Sequence, residues 1–402
     1  MIDFTVRPEH ERLRSRVAEF VREEIAPAES QMAPGTFDEE AIADLQDRAR
    51  TLGLWTPQLP AEWGGLDIGP LGMALINEEI GASAIAPSVL NCAPPNEANL
   101  FLLLHAATAA QKERYLRPLA DGKVRSCFAM TEKGGGSDPS GLTTTAIREA
   151  DGWLLNGEKW FIGGARGAAF GIVVARTDSK LPVQRALTLF LVDTETPGWE
   201  VVREIPSLGT RLPGGSCEVQ LQNCLVPHDA VLGTEGGAYV LVQERLGQAR
   251  LSHCMRWIGV CQHALDLAAE RALARETFGA PIAQHQAVQL MLADAAIDLY
   301  ASRLMVLHAA WLLEQKRPHA REIASTKVFV SEALNRIVDR ALQIHGSLGY
   351  SADLPLERYY RDARGARIYD GPSEVLRMAI AFQVLQAAAR DKTTRRACMA
   401  AI

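Results

Sequence analysis

Three polar segments of this chain have residue types and spacing suited to chemistry on a bound group. The first is Asp370-Gly371-Pro372, set in the run Ile368-Tyr369-Asp370-Gly371-Pro372-Ser373-Glu374-Val375-Leu376-Arg377. A carboxylate held in a dry site can act as general base on a weakly acidic proton. Gly371, without a Cβ, lets the backbone come close to a ligand. Asp-Gly-Pro is equally an ordinary turn, so the triplet alone does not choose. The second segment is Cys127-Phe-Ala-Met-Thr-Glu-Lys-Gly-Gly-Gly-Ser-Asp138. A strand running into a Gly-rich loop offers backbone N–H groups, with the Thr131 and Ser137 hydroxyls, to a diphosphate; a flexible hairpin is the plain alternative. The third is Arg275-Glu-Thr-Phe-Gly279, followed by His285-Gln286. A guanidinium matches a diphosphate in bidentate fashion, and its competing role is a solvated helix charge.

Other chemistries are disfavoured by composition. With Lys+Arg 42 against Asp+Glu 48, a net charge of -6 and the charges interspersed, nucleic acid and anionic membranes are poor partners. No apolar run is long enough to span a bilayer, and the first residues lack signal- or transit-peptide character. A soluble protein of a bacterial cytoplasm, or a processed mitochondrial matrix form, is expected. The seven cysteines, Cys92, Cys127, Cys217, Cys224, Cys254, Cys261 and Cys398, form no Cys-x-x-Cys pair and read as reduced, mostly buried thiols. No cluster has metal-ligand spacing.

Helices and strands must position these segments. At 402 residues and 48% hydrophobic content the chain has room for two or three packed units. Apolar spacing predicts helices over 8–24, 38–53, 71–82 and 109–121. Short alternating runs then predict strands over 143–147, 153–155, 171–175, 187–192 and 217–221, with Asp151-Gly152 and Asn156-Gly157 as turns. Helices return after 235, where Val330, Leu334, Ile337, Ala341 and Ile344 step by three and four as a buried stripe. The expected organisation is an α-helical domain 1–124, a β domain 125–234 and an α-helical bundle 235–402.

This order, joined to the motifs, resembles the acyl-CoA dehydrogenase family over nearly the whole chain. The resemblance implies an α+β fold with an N-terminal helical domain, a central β-barrel or sandwich and a C-terminal four-helix bundle that also builds a homo-oligomer, a tetramer or dimer. Where most of the family carries Glu, this chain has Asp370. That change, with Arg250-Leu-Ser-His-Cys-Met-Arg256 and Asn91-Cys-Ala-Pro-Pro95, looks most like the branch containing family members ten and eleven.

Carried over residue by residue, the resemblance implies an FAD site. Phe128, the backbone around Met130 and the Thr131 hydroxyl would face the flavin, with Gly136 beside them. Ser137 would touch both the FAD phosphate and the CoA side. Gly157-Glu-Lys-Trp-Phe-Ile-Gly-Gly164 aligns with the family's Gly-x-Lys-x-Trp-Ile-Thr-Asn strand, so Phe161 would pack on the isoalloxazine, followed by Ile162. Phe161 and Trp160 could equally be sheet core. Gly163 departs from the family, which often has a hydroxyl there near flavin N5. Arg275, Thr277, Phe278, His285 and Gln286 would reach a partner subunit's FAD, as would Gln343, Ile344, His345, Gly346 and Ser347 around the adenine. Pro372, Ser373 and Glu374 complete the implied cofactor set. His285 and His345 read by themselves as structural histidines.

On the substrate side, Gly247, Arg250, Tyr369 and Gly371 join Ser137. A buried Arg must be paired, so an architectural role for Arg250 competes with substrate contact. Ala249 stands where some relatives place their base, and an alanine excludes that. His253 could face the cavity, with packing in the core the better reading. The implied reaction is α,β-dehydrogenation of an acyl-CoA to a trans-2-enoyl-CoA, with Asp370 as base and an electron-transfer flavoprotein as acceptor. Rival readings on this fold are a nitroalkane oxidase, an acyl-CoA oxidase, and a flavin- or CoA-binding protein without turnover.

Overall fold

The computed structural model describes residues 5–32, 36–209 and 213–400, with side chains described to residue 389. The chain packs as two compact units, residues 7–249 and the residues from Arg250 onward together with 5–6.

In the unit 7–249, local rules set the helix starts. In α1 (Pro8–Phe20) Pro8 takes the first position, where its missing N–H costs nothing. In α2 (Glu39–Thr51) the Asp38 carboxylate accepts from the N–H groups of Glu40 and Ala41, each at 3.1 Å. Next come α3 (Gly69–Ile80) and α4 (Asn96–Ala106), and then residues 109–120, opened by a capping box between Thr108 and Gln111. Helix α4 is not anticipated by periodicity, because consecutive residues such as Leu102 and Leu103 are all buried and no polar face marks the turn.

One eight-stranded sheet follows: β1 (Ser126–Ala129), β2 (Thr145–Glu149), β3 (Gly152–Gly163), β4 (Phe170–Arg176), β5 (Leu187–Asp193), β6 (Trp199–Glu204), β7 (Ser216–Val226) and β8 (Val231–Leu232). Its order is β6-β7-β3-β2-β4-β5-β8, with β1 added parallel to β4. Strand β4 is apolar throughout because both its faces are covered. Phe170, Ile172 and Val174 pack with Leu100, Leu103, Leu116 and Leu119 from the helices, whereas Val173 and Ala175 pack with Trp153, Leu155 and Phe190 of the sheet.

Asn156-Gly157 is not a turn. Strand β3 runs through it, with a register shift against β7 between Leu155 and Gly157. The Asn156 side chain accepts from the Asn223 N–H at 2.8 Å. A Cβ at Gly157 would lie 2.4 Å from Thr144 Oγ1, so the glycine serves close strand contact rather than chain reversal. Strands β6 and β8 go beyond the sequence reading, whereas β1 is the strand expected before the Gly-rich loop.

In the second unit, the long helix α5 (Ala238–Ala274) continues past Arg250, and α6 (Gln286–Glu314), α7 (Ala320–His345), α8 (Leu356–Ala366) and α9 (Ser373–Ala400) follow. The anticipated stripe Val330, Leu334, Ile337, Ala341 and Ile344 is buried along α7, and Gly346, at φ +65°, ends that helix. Cys92, Cys127, Cys217, Cys224, Cys254 and Cys261 are buried and joined in no disulfide among the described residues; the Cys398 side chain lies outside those described. Among the described residues no helix is long and apolar enough to cross a membrane.

Candidate functional site

In the unit 7–249 the Gly-rich loop leaves β1 and is anchored from below. Glu132 is buried. Its carboxylate accepts from the Thr143 N–H at 2.6 Å and hydroxyl at 2.7 Å, and from the Thr144 N–H at 3.0 Å. Lys159 Nζ, fully buried in β3, donates to Glu132 Oε1 at 2.8 Å, to the Met130 carbonyl at 3.0 Å and to the Val174 carbonyl at 2.7 Å. All three ammonium protons are thereby used. Burial alone would raise the Glu132 carboxyl, but the ammonium and these hydrogen bonds outweigh it and hold it at about 2. Burial pulls Lys159 down to about 8, against the attraction of Glu132.

The Thr131 carbonyl accepts from the Trp160 N–H at 2.7 Å, while Gly136 and Ser137 are exposed. Met130 is half-buried. The half-buried Phe128 ring lies 3.9 Å from the Arg245 guanidinium carbon, and Arg245 is itself held by Asn99 Oδ1 at 2.9 Å. Phe161 is 52% exposed, so it is not sheet core, and its φ of +56° falls at the second register shift of β3, between Lys159 and Ile162. An aromatic residue with left-handed backbone is strained, and the bulge turns its ring out while Ile162 stays buried. Among the described residues, and apart from adjoining residues and the helix's own backbone, nothing lies within 4 Å of where a Cβ on Gly163, or on Gly247 of α5, would sit.

The second unit presents the carboxylate. Asp370 has a φ of +51° and Gly371 of +102°, so two consecutive left-handed residues reverse the chain between α8 and α9. Arg250 Nε donates to the Asp370 carbonyl at 2.7 Å, and Lys327 Nζ donates to the Gly371 carbonyl at 2.8 Å. Glu332 pairs with Arg367 at 3.1 Å and Arg377 at 3.4 Å, on either side of the turn. A Cβ on Gly371 would meet Arg250 Nη2 at 3.2 Å. Arg250 thus clamps the backbone of the Asp370 turn and is not an isolated buried charge. Burial pulls Lys327 down to about 8.

His253 does not merely fill core. Its Nε2 lies 2.9 Å from Asp370 Oδ2. Its ring stacks on Trp257, with centroids 5.6 Å apart, and meets Tyr369 edge-on at 5.1 Å. The carboxylate is therefore partly sheltered by an imidazole that two aromatic rings flank.

The remaining predicted residues lie in the second unit. Arg275 is exposed, with no side-chain partner among the described residues. Phe278 is fully exposed at φ +52°. Thr277 Oγ1 lies 3.5 Å from His285 Nε2, and Gln286 opens α6. Gln343 and Ser347 are exposed, whereas Ile344 and His345 are buried; His345 Nδ1 is 2.8 Å from the Ala341 carbonyl, as a structural histidine should be. Glu374 is exposed and Pro372 half-buried. Ser373 Oγ is buried without a hydrogen-bond partner among the described residues.

The sequence reading missed Glu132, Lys159, Lys327 and the His253 contact. One signal was present. Lys327 stands three residues before Val330 on the apolar stripe of α7, where a lysine must find an acceptor.

Residues 7–123, 127–224 and 235–385 match the N-terminal, middle and C-terminal domains described as acyl-CoA dehydrogenase. The Mycobacterium tuberculosis protein named "Probable acyl-CoA dehydrogenase FadE2" is 36% identical over 98% of each chain. The (R)-benzylsuccinyl-CoA dehydrogenase of Thauera aromatica is 34% identical over 96% of this chain and 97% of its own. Butyryl-CoA dehydrogenase of Megasphaera elsdenii superposes with a TM-score of 0.85 at 28% identity, covering 96% of this chain and all of that one.

Proposed function

Because the chain belongs to the acyl-CoA dehydrogenase family, an enzyme family whose cofactor is FAD, we propose that it oxidises an acyl-CoA between its α and β carbons with Asp370 as the base. The observation carrying this reading is the Asp370 turn, whose strained backbone is clamped at successive carbonyls by Arg250 and Lys327. Strain of this kind is retained where a group must be held in place. Asp370 takes the α proton, and its backbone N–H donates to the thioester carbonyl, acidifying the α carbon. FAD, when bound, supplies the hydride acceptor. Electrons then pass to an electron-transfer flavoprotein. Oxygen as acceptor is the rival outcome, read as hydrogen peroxide release in air.

The residues present fit such a cofactor. Phe161 offers an exposed flat face, the Thr131 and Ser137 hydroxyls and the loop backbone offer polar contacts, and open space at Gly163 avoids a clash. Arg275, with Thr277, Phe278 and Gln343, would hold the diphosphate of FAD bound to a second copy of the chain. Leu290, Ile297, Tyr300 and Leu304 recur along α6 and remain exposed, as a face covered in a homo-oligomer would. Arg275→Ala is expected to weaken FAD retention by about 1.5–3 kcal/mol, the worth of a charge-assisted hydrogen bond. Flavin release during gel filtration measures this; unchanged retention and assembly would return Arg275 to a solvated charge.

Asp370, together with the segments around Arg250 and Asn91, supports a reading in which the chain resembles the Asp-base branch of members ten and eleven. Asp is one methylene shorter than Glu, which leaves its carboxylate roughly 1 Å or more short on an unchanged backbone, a gap that can cost about 10²-fold. A substrate lying nearer the turn, branched, cyclic or oxygenated beside the thioester, closes that gap. Plain straight-chain acyl-CoAs are therefore expected to be poorer substrates, and Asp370→Glu not to improve turnover of the true one. Anaerobic flavin bleaching with a panel of acyl-CoAs is the test. Butyryl-, octanoyl- or palmitoyl-CoA outperforming every branched or cyclic member, with Asp370→Glu faster still, rejects the substrate reading. No bleaching by any acyl-CoA rejects the dehydrogenase reading itself.

A further inference from the structure

We infer that His253 is the positioning residue for the Asp370 base, oriented in turn by Arg256, an assignment that rests on the dehydrogenase reading. Arg256 Nη2 lies 3.4 Å from His253 Nδ1. A guanidinium carries donors only, so Nδ1 must be the accepting nitrogen, and the ring proton sits on Nε2. That proton points along the 2.9 Å contact to Asp370 Oδ2. In this arrangement the imidazole donates one hydrogen bond to the carboxylate. Its plane cannot drift, because Trp257 stacks on it and Tyr369 abuts its edge. Arg256, His253 and Trp257 all come from one stretch of α5, spaced three and four residues apart, and so share one helix face.

The consequence concerns aim. The terminal torsion of an Asp side chain is broad, so a carboxylate with no partner samples many orientations. The bond at Oδ2 narrows that range and holds the carboxylate in one orientation. In the proton step the α C–H bond breaks, an O–H bond forms on the Asp370 carboxylate, and the electron pair moves into the substrate as the β hydride would leave for FAD. A short side chain depends on such aim, since displacement of about 1 Å can cost about 10²-fold. The backbone clamps fix where Asp370 stands, and His253 fixes where it points.

The test separates proton transfer from hydride transfer. An acyl-CoA with sulfur in place of its β carbon has an acidic α position but no β hydride to give. Exchange of its α hydrogen into deuterated buffer, followed by NMR on the FAD-loaded protein, reports the base alone. A Gln at 253 brings its amide N–H to the place of Nε2, whereas an Asn brings its own only to the place of Nδ1. His253→Gln should therefore exchange nearly as fast as the native protein, and His253→Asn about 10²-fold more slowly. Flavin content, thermal midpoint and affinity for the analogue should be the same in both, which a merely structural role for the histidine would not produce. Equal exchange by the Asn variant and the native protein, or a Gln variant as slow as the Asn one, overturns the assignment. A native protein that exchanges no hydrogen at all, though it binds the analogue, overturns the dehydrogenase reading and this inference with it.

Discussion

Asp370→Asn is expected to retain FAD and lose reduction by acyl-CoA almost completely, by about 10²–10⁴-fold, the usual cost of removing a general base. The amide is isosteric, so the turn keeps its clamps from Arg250 and Lys327, which bind the backbone carbonyls and not the carboxylate. Only the capacity to accept the α proton is lost. Anaerobic stopped-flow bleaching of the flavin measures the effect, with the flavin spectrum confirming an intact site. Near-native reduction would place the base elsewhere, although Ala249 offers no carboxylate at the family's other position. Asp370 therefore carries the functional assignment in its most exposed form.

Lys159→Met should produce the largest change in stability. Lys159 and Glu132 have side chains 0% and 4% exposed, so removing the ammonium strands a carboxylate in the interior. Breaking one side of a buried ion pair costs about 3–5 kcal/mol, a large part of the stability of an ordinary domain. Urea unfolding near neutral pH should show the midpoint falling accordingly. Adding Glu132→Gln to Lys159→Met should recover part of the loss, since a neutral amide is cheaper to bury. An unchanged midpoint in the single variant would show that water reaches the pair. Acid acts on the same pair from the other side. A carboxyl held at about 2 in the folded chain, below its ordinary 4.5, stabilises the fold above pH 4.5 and loses that contribution as pH falls towards 2. Because Met130 and Thr131 adjoin this anchor, its loss should also loosen the flavin.

Local chemistry made much of this protein legible before its fold was known. The helix starts at Pro8 and Asp38, the buried stripe of α7 and the apolar strands β4 and β5 follow from propensities and periods that act within a few residues. The order of helical, β and helical regions followed from them, and the motifs around Thr131, Phe161, Arg275 and Asp370 could be picked out because they are contiguous. What bound distant segments could not be read in this way. Asn156-Gly157 looks like a turn to any local rule, and only the approach of Thr144 and the bond to Asn223 make it strand. Glu132 and Lys159 are 27 residues apart, and nothing in either neighbourhood announces a partner. His253 and Asp370 are farther apart still, and a histidine on an apolar helix is usually packing. Tertiary structure alone set its ring against the carboxylate, because a hydrogen bond depends on distance and direction in space, and sequence carries neither beyond the reach of one helix turn or one strand pair.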